Sequence, residues 1–403
     1  MRHAPPRGVA GRVELLSAWH RPLRGSCSAA LRRVGRVSSL KRTSLYDAHV
    51  AGGAKIVDFA GWEMPVEYAG VRTEHLAVRS ACGLFDVSHM GQIEVMGRGA
   101  RDFLQASLTN DITRIGPGQA QYTLLPDDDG GVIDDLLAYA LLDRFLLVVN
   151  ASNIDACWAR LTSLAPDDLE LINRSPDVAM LALQGPTWAK ALTPVSSPEP
   201  FSLAYMEATE ARVADVPCLV ARTGYTGEPG VEIMCDAAQA PVVWDALMAG
   251  ADRPVPCGLA SRDTLRLEMG YPLYGNELSR DRSPISAGLK WACDVARGGF
   301  PGASRMQREA TEGTPDRLVG IVLTEKGIPR GGCAVMAGGQ QVGVVTSGTL
   351  SPSLGVGAAL AYVSPEHAHV GAQLSIDVRG KQKAAEVTRL PMVDSSPRKE
   401  DHP

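Results

Sequence analysis

The apolar and polar positions after residue 42 predict short β-strands separated by turns that contain glycine or proline. Apolar runs, some with strict alternation, favour strands at residues 84–87, 93–96, 132–141 and 145–150. The three residues 142–144 separate the last two strands, which predicts an antiparallel hairpin. Short strands with a few helices among them indicate the α+β class.

Several other stretches have the spacing of amphipathic helices. Thr73 is a suitable N-cap for a helix over residues 74–82, and Gly83 follows where left-handed backbone is favoured. Apolar periodicity predicts further helices at residues 99–104, 241–250 and 261–269. We expect these helices to pack one apolar face against the sheets.

The polarity of residues 302–317 predicts a linker between a larger and a smaller unit. This segment carries Glu309, Glu312 and Pro315 and has little to bury. Short β patterns follow it at residues 318–323, 342–346 and 373–378. We therefore expect a core over residues 43–315, a C-terminal β-barrel or jelly roll over residues 316–395, and a flexible tail at residues 396–403.

Composition narrows the class of protein and of partner. The chain has 403 residues, 45% of them hydrophobic and 21% charged, which is ordinary for a globular protein that buries a large core. Its formal net charge of -5 provides no general attraction for nucleic acid or anionic membranes. No apolar run approaches the roughly 20 residues that span a bilayer. We expect a small molecule or a protein as partner, and neither nucleic acid nor a membrane.

The cysteines and the N-terminus suggest where the protein works. The eight cysteines include no C-x-x-C pair and no Cys/His cluster with metal-ligand spacing, which predicts reduced thiols and no metal. The first 42 residues contain ten Lys or Arg against one acid, Glu14. This bias predicts an organelle transit peptide over residues 1–42; an extended translation start and a disordered basic tail are the alternatives.

Two adjacent carboxylates in an apolar strand are the most informative local feature. In extended backbone, alternate residues share a face, so Asp134 would lie beside Val132 and Leu136, and Asp135 beside Ile133, Leu137 and Tyr139. A buried carboxylate must find hydrogen-bond donors or a polar ligand. The strand is therefore a candidate site, unless it is an edge strand or both groups accept ordinary structural hydrogen bonds.

Other candidate residues have equally plausible structural explanations. The glycine-rich segment 222–233 predicts a tight loop before Glu232, which is able to accept paired N–H donors from a heterocycle or to lie on a solvent face. Arg262 and Arg266 are four residues apart on a predicted helix and are suited to a carboxylate ligand or to a solvated face. His89 is by default a structural histidine. The sequence has no phosphate-binding glycine loop, nucleophile elbow or H-E-x-x-H pair.

The order of these motifs along the chain resembles the aminomethyltransferase family of the glycine cleavage system. The resemblance spans about residues 43–390 and includes FDVSHMG, GGVIDDL and RTGYTGEPGVEI. The similar segments are residues 59–66, 85–91, 130–136, 148–154, 182–186, 222–233, 258–263, 273–277 and 346–348. So many ordered matches make chance similarity a poor explanation.

The resemblance implies a three-domain, ring-like folate-binding fold with antiparallel sheets, in which two interleaved domains fill residues 43–315. Tetrahydrofolate would bind in the central hole as co-substrate, without a metal. Asp135, and not Asp134, matches the catalytic position. The residues implied in folate binding are Met64, Tyr122, Asn150 and Tyr225 against the pterin, Glu232 on its aminopyrimidine edge and Arg262 at the folate end.

The implied reaction moves a methylene group from the aminomethyl-dihydrolipoyl carrier protein (H-protein) to tetrahydrofolate and releases ammonia. With the basic N-terminus, it predicts the mitochondrial matrix. The alternatives are a folate-dependent demethylase of the same fold and a non-catalytic iron–sulfur assembly factor, whose Lys-Gly-Cys-Tyr signature this chain lacks. A pure carrier-binding module would not need a carboxylate in an apolar strand. The chain departs from the family at residues 390–393, where Leu-Pro-Met-Val replaces the commoner Lys-Pro-Phe-aromatic ending.

Overall fold

A computed structural model describes residues 40–198 and 202–397. Its α-helices are α1 (Tyr46–Ala51), α2 (Val71–Ser80), α3 (Ala100–Ser107), α4 (Ile154–Leu164), α5 (Trp188–Leu192), α6 (Ala240–Ala249), α7 (Leu259–Met269) and α8 (Ala303–Glu312). Its strands before the barrel are β1 (Lys41–Arg42), β2 (Lys55–Phe59), β3 (Trp62–Glu67), β4 (Gly83–Asp86), β5 (Gly91–Met96), β6 (Gln119–Pro126), β7 (Val132–Ala140), β8 (Arg144–Val149), β9 (Glu170–Asn173), β10 (Val178–Gln184), β11 (Ser196–Ser197), β12 (Ala208–Val213), β13 (Val216–Ala221), β14 (Gly230–Asp236) and β15 (Val255–Cys257). Six strands then form the barrel: β16 (Arg317–Leu323), β17 (Ala334–Ala337), β18 (Gln340–Leu350), β19 (Gly357–Val363), β20 (Gln373–Val378) and β21 (Lys381–Thr388).

Two large sheets face each other across a shared apolar layer. The five-stranded sheet has the order β6-β7-β8-β5-β9, and the seven-stranded sheet has the order β11-β12-β13-β14-β10-β4-β15. Tyr139 and Val148 of the first sheet pack in one cluster with Met180 and Met234 of the second. Because these inward side chains are large and apolar, their burial holds the sheets together.

The outer face of each large sheet is covered by its own helices. Phe103 of α3 and Leu161 of α4 pack on the outer face of the five-stranded sheet. Trp188 of α5 and Trp244 of α6 pack on the outer face of the seven-stranded sheet. A third sheet, of order β1-β3-β2, lies beside them.

The C-terminal unit is a closed six-stranded barrel in the order β16-β19-β18-β17-β20-β21. Its interior holds Ile321, Val345 and Ile376. On its outside, Leu360 packs against Leu267 of α7. Helix α7 therefore contacts both the barrel and the sheets, and this positions the C-terminal unit against the core.

These elements confirm the α+β class, the antiparallel sheets and the C-terminal barrel. The hairpin prediction is confirmed, since β7 and β8 pair antiparallel through Leu137–Val148 and Ala140–Phe145. Helices α6 and α7 begin within two residues of their predicted starts. Residues 1–39 of the predicted transit peptide and 398–403 of the predicted tail lie outside the described residues.

The predicted bounds of the helix over residues 74–82 are wrong. Helix α2 begins at Val71 and not after Thr73, because the Glu74 carboxylate accepts the backbone N–H groups of Tyr68 (2.6 Å) and Gly70 (3.2 Å). Gly83 belongs to strand β4 instead of capping the helix. The segment 302–317, predicted as a linker, contains helix α8, while the domain boundary expected there stays a prediction.

Helix α8 forms because its few apolar residues share one face. Ala303 and Met306 are three residues apart and are both buried, in a cluster with Leu124 and Val132. Gly302 precedes the helix with φ +70° and approaches the backbone of Gly130 closely. The polar remainder of α8 faces outward, which made the segment look like a linker.

A β-bulge changes which side chains share a face in β7. The register between β6 and β7 shifts after Leu125 pairs with Asp134, so that Pro126 pairs with Val132 and Ile133 is the extra residue. Ile133 consequently packs with Leu136 on the helix-covered face. The predicted grouping of Ile133 with Asp135, and of Val132 with Asp134, is therefore wrong, although the two carboxylates do lie on opposite faces.

Candidate active site

A cavity of about 410 Å³ lies where the two large sheets, helix α7 and the edge of the barrel meet. Six of the predicted site residues line it: Tyr122, Asp135, Asn150, Tyr225, Glu232 and Arg262. The seventh, Met64, is fully buried in β3 and is not part of the lining. The strands, the glycine-rich loop and α7 thus bring together residues that are up to 140 positions apart.

Asp135 faces this cavity from β7. Tyr122 Oη donates a hydrogen bond to its Oδ2 (2.9 Å), and Asn150 Nδ2 donates to its Oδ1 (2.9 Å). Burial raises the pKa of Asp135, and the charge of Glu277 adds to the rise, while these two donors oppose it. The side chain is therefore oriented by fixed donors and is a stronger base than a solvated aspartate.

Asp134 is fully buried on the opposite face of β7, toward helix α4. It accepts hydrogen bonds from the backbone N–H of Asn150 (2.8 Å), from Asn150 Nδ2 (2.9 Å) and from Asn153 Nδ2 (2.6 Å). Burial raises its pKa, and the neighbouring charge of Asp135 raises it further. Asp134 thus satisfies its oxygens within the protein, whereas Asp135 has a face toward the cavity.

Glu232 presents a second carboxylate to the cavity, from β14. It is only 3% exposed, and Thr223 Oγ1 donates a hydrogen bond to its Oε2 (2.5 Å). Tyr139 Oη lies 3.1 Å from Thr223 Oγ1, so the three residues form a chain of hydrogen bonds. Burial raises the pKa of Glu232, and the charge of Arg262 opposes the rise. The structure excludes the alternative that Glu232 lies on a solvent face.

Arg262 supplies positive charge from helix α7. Its Cζ lies 4.9 Å from the ring centroid of Tyr225, a cation–π contact. Within the described parts of the chain, its buried Nη1 has no hydrogen-bond partner. Burial lowers the pKa of Arg262, and Glu232 and Tyr225 oppose this. A buried guanidinium nitrogen without a partner is costly, and a polar ligand would satisfy it.

Tyr225 is held rigidly within the glycine-rich loop. Its hydroxyl donates a hydrogen bond to the carbonyl of Pro272, and its ring stacks on Tyr271 at 5.7 Å. Gly227 in the same loop has φ +81°, and a Cβ there would lie 2.3 Å from Met269 Sδ. The loop is therefore packed against the end of α7, and its aromatic wall is fixed in place.

Arg266 and His89 are buried without lining the cavity. Arg266 Nη1 forms an ion pair with Glu277 Oε2 (2.8 Å), and its Nη2 donates to Ser347 Oγ of the barrel (2.8 Å), so it joins the two units. Burial lowers the pKa of His89 to about 4, and its ring packs edge-on against Phe59. Arg266 thus serves structure, in contrast to Arg262.

Sequence patterns did not single out several residues of the lining. Trp291 is 66% exposed and stacks on Tyr122 at 5.3 Å. Thr223 orients Glu232, and Leu390 of the divergent C-terminal segment adds an apolar wall. Thr223 lies within the glycine-rich motif, which was a usable signal. Trp291 has no local pattern that distinguishes it from a surface residue.

The arrangement is suited to a neutral or cationic heterocycle and to proton transfer. Two buried carboxylates accept N–H donors, an arginine offers an unpartnered donor, and aromatic rings supply flat walls. Asp135 has the raised pKa of a general base near neutral pH. Within residues 40–198 and 202–397, no group of three or more His, Cys, Asp or Glu residues is placed to hold a metal ion. In the same ranges, no helix is long and apolar enough to cross a membrane.

Comparisons with known proteins cover nearly all of the described chain. The family model "GCVT N-terminal domain" matches residues 45–297, and "Glycine cleavage T-protein C-terminal barrel domain" matches residues 317–394. A protein named aminomethyltransferase from Geobacillus kaustophilus is 45% identical over 360 residues, which cover 87% of this chain and 98% of the relative. Another of that name, from Halothermothrix orenii, is 44% identical over 357 residues, or 88% and 100% of the two chains.

A solved structure resembles the whole architecture. The glycine cleavage system aminomethyltransferase T from Bartonella henselae superposes with a TM-score of 0.83 and 36% identity, over 89% of this chain and 99% of that one. The curated relatives named above are bacterial, and bacteria have no mitochondria. This finding overturns the predicted mitochondrial matrix location, and these relatives give the predicted transit peptide no support.

Proposed function

Because the chain belongs to the family of glycine cleavage aminomethyltransferases, we propose that it transfers the methylene group of an aminomethylated lipoyl carrier protein to tetrahydrofolate. The products are 5,10-methylenetetrahydrofolate, ammonia and the dihydrolipoyl carrier. The observation that carries this proposal is one cavity of about 410 Å³ in which Asp135, Glu232 and Arg262 converge. A volume of this size is typical of sites that enclose a ligand such as folate.

Glu232 and Arg262 are the proposed binding residues for the two ends of the folate. The aminopyrimidine edge of a pterin carries adjacent N–H donors, and the buried carboxylate of Glu232 is an acceptor that fits them. Arg262 Nη1, which has no partner in the described chain, would bind a folate oxygen or carboxylate. Tyr122, Asn150 and Tyr225 would contact the pterin from the cavity wall.

Asp135 is the proposed catalytic residue. The bridge nitrogen of tetrahydrofolate is a weak, anilinic nucleophile, so a carboxylate beside it would orient it and stabilise the positive charge that forms as it attacks the methylene carbon. Two fixed donors, Tyr122 Oη and Asn150 Nδ2, hold the Asp135 oxygens in place. The raised pKa of Asp135 favours its acceptance of a proton from that nitrogen.

The proposed reaction balances without a redox step. A carbon–nitrogen bond forms to the folate as the carbon–nitrogen bond to the departing ammonia breaks. The second folate nitrogen then forms its bond to the same carbon as the carbon–sulfur bond breaks. The two protons lost by the folate nitrogens leave with the ammonia and the dihydrolipoyl thiol. Positioning of two large substrates supplies much of the rate.

A coupled assay of ammonia release tests this proposal. Purified protein is mixed with aminomethylated carrier protein and tetrahydrofolate, and each substrate is omitted in turn. We expect rapid ammonia release only when both are present, together with formation of methylenetetrahydrofolate. Equal release without tetrahydrofolate, or with an unlipoylated carrier, would contradict the proposed reaction.

A further inference from the structure

A single amide group bridges the two adjacent carboxylates. Asn150 Nδ2 lies 2.9 Å from Asp134 Oδ1 and 2.9 Å from Asp135 Oδ1. Those two oxygens are therefore within roughly 6 Å of each other, a range at which like charges disfavour one another. Asp134 and Asp135 point to opposite faces of β7 and yet form one interacting pair, so protonation of either affects the other.

Asp134 and Asp135 differ in the hydrogen-bond partners that could share a proton with them. Asp134 is surrounded by donors: the backbone N–H of Asn150, the amides of Asn150 and Asn153, and the thiol of Cys157, whose Sγ is 3.5 Å away. The three N–H groups cannot accept a proton, so a protonated Asp134 could turn its O–H only toward the Cys157 sulfur, a weak acceptor. The Asp135 side differs, because the Tyr122 hydroxyl can both donate and accept, and the cavity lies beside it.

We propose that Asp134 is a positioning residue for the transfer reaction: it stays ionised and confines the last proton of the pair to Asp135. This inference rests on the proposed role of Asp135 as proton acceptor. The fixed negative charge makes Asp135 a stronger base, and the shared Asn150 amide ties the two carboxylates together. A catalytic carboxylate flanked by a second, enclosed carboxylate thus gains basicity without contact between Asp134 and substrate.

The other charged and titratable groups around the pair do not replace this effect. Tyr122, Tyr225 and Glu277 act on Asp135, and Cys157, Tyr274 and Arg280 surround the Asp134 side. Burial raises the pKa of both tyrosines nearest Asp135 and of the Cys157 thiol, so these groups stay neutral at neutral pH. Glu277, which also forms an ion pair with Arg266, raises the pKa of Asp135 in the wild type and in the Asp134 and Asn153 variants alike, so it does not account for a shift between them. Arg280 is exposed and is screened by solvent.

The first test is the pH dependence of kcat/KM in Asp134→Asn. The acidic limb of this pH profile is the range in which kcat/KM falls as Asp135 becomes protonated. Because Asp134→Asn removes the negative charge near Asp135, we expect this limb to move to lower pH by about one unit. Asp155→Asn is the matched control, because Asp155 is exposed on α4 and its loss removes the same charge. Loss of rate with an unmoved limb in Asp134→Asn would assign Asp134 a merely structural role and overturn the proposal.

A second variant keeps both carboxylates in place. Asn153→Ala removes a donor that binds Asp134 at 2.6 Å and that, among the described residues, forms no hydrogen bond with Asp135. Without this donor the ionised form of Asp134 is less stable, part of the last proton moves to Asp134, and Asp135 ionises at lower pH. We expect a shift in the same direction as in Asp134→Asn, but smaller. No shift, in a protein that melts at the wild-type temperature, would contradict the proposal.

Direct titration separates this inference from the proposed reaction. ¹³C NMR of protein labelled at aspartate carboxyl carbons, without folate or carrier, should give a high-pH titration that disappears in Asp135→Asn and moves to lower pH in Asp134→Asn. If the high-pH proton titrates at Asp134 instead, the inference fails whatever the enzyme does. If the titration behaves as expected and no ammonia is released, the inference about the pair stands and the proposed function fails.

Discussion

At the scale of single residues, adjacency in sequence produces opposite environments. Asp134 and Asp135 are consecutive on an extended strand, so one enters the layer beneath α4 and the other enters the cavity. Both carboxylates accept a hydrogen bond from Asn150, which follows β8, and Asp135 accepts a second one from Tyr122 of β6. The site therefore depends on three side chains whose positions are mutually fixed.

Substitution of Asp135 by asparagine should separate catalysis from binding. The amide keeps the shape of the side chain and can accept the Tyr122 hydroxyl, but it cannot take a proton, so we expect kcat for ammonia release to fall by about 10²–10⁴-fold. Folate affinity, measured by calorimetry, should stay close to that of the wild type. Asp155→Asn is the control for the loss of a charge. Activity within a few-fold of wild type would remove Asp135 from the mechanism.

Substitution of Glu232 should weaken folate binding, in contrast to substitution of Asp135. Glu232→Ala removes charge-assisted acceptors worth about 1.5–3 kcal/mol, so folate should bind about 10–150-fold more weakly. Glu232→Gln keeps one acceptor oxygen, so its folate affinity should lie between those of the wild type and of Glu232→Ala. Calorimetric titration with tetrahydrofolate measures all three. Equal affinity in wild type and Glu232→Ala would contradict the pterin assignment.

The resemblance of motifs predicted most of the lining, and geometry explains what it missed. Asp135 and Glu232 stand out as carboxylates among apolar neighbours, a pattern that a sequence exposes directly. Met64 lies in the segment 59–66 that also resembles the family, but its side chain is fully buried in β3 and does not reach the cavity. Trp291 reaches the cavity only because a segment 169 residues further along the chain folds over Tyr122, and no local pattern encodes such an approach.

At the scale of secondary structure, local patterns predicted strands well and their registers poorly. The hairpin of β7 and β8 follows from apolar runs around a short polar turn. The bulge at Ile133 depends on the partner strand, where Pro126 has no N–H to donate to the ladder. Pro126 was a usable signal, but only once β6 was known to pair with β7.

Gly131 should be essential to the start of β7. A Cβ at this position would lie 1.7 Å from the carbonyl oxygen of Arg280, a backbone atom that cannot move alone. We expect Gly131→Ala to lower the free energy of unfolding by at least about 2 kcal/mol and to reduce activity, because the bulge and Asp135 follow directly. Gly116→Ala is the control, since its nearest neighbour is 3.9 Å away. Equal midpoints of urea unfolding for the two variants would contradict the prediction that a side chain is not tolerated at Gly131.

At the scale of the whole molecule, helix α7 connects the cavity to the barrel. Arg262 on this helix lines the cavity, while Arg266 and Glu268 bind side chains of the barrel unit. The C-terminal segment returns to the same helix, where the Met392 N–H donates to the Glu268 carbonyl (2.7 Å). Displacement of the barrel would therefore move the helix that carries Arg262.

Glu268 is the charged centre of the contact between core and barrel, and its role predicts a pH dependence. It accepts hydrogen bonds from Arg79 Nη2 (2.9 Å) and from Ser351 Oγ (2.5 Å) and Ser353 Oγ (2.8 Å) of the β18–β19 connection. Burial alone would raise its pKa, but His75, Ser351 and Arg79 together lower it to about 2.

Since the folded pKa of Glu268 lies below the unfolded value of about 4.3, its ionised form stabilises the fold fully above about pH 5 and loses that effect as pH falls toward 2. Glu268→Gln should therefore cost about 3 kcal/mol at pH 7, measured by urea unfolding. The difference in the free energy of unfolding between wild type and Glu268→Gln should narrow steadily between pH 5 and pH 3. Glu312→Gln, at an exposed position of α8, is the control and should have the same free energy of unfolding as the wild type at each pH. A gap for Glu268→Gln that stays constant down to pH 3 would mean that its hydrogen-bond geometry, and not its charge, fastens the barrel to the core.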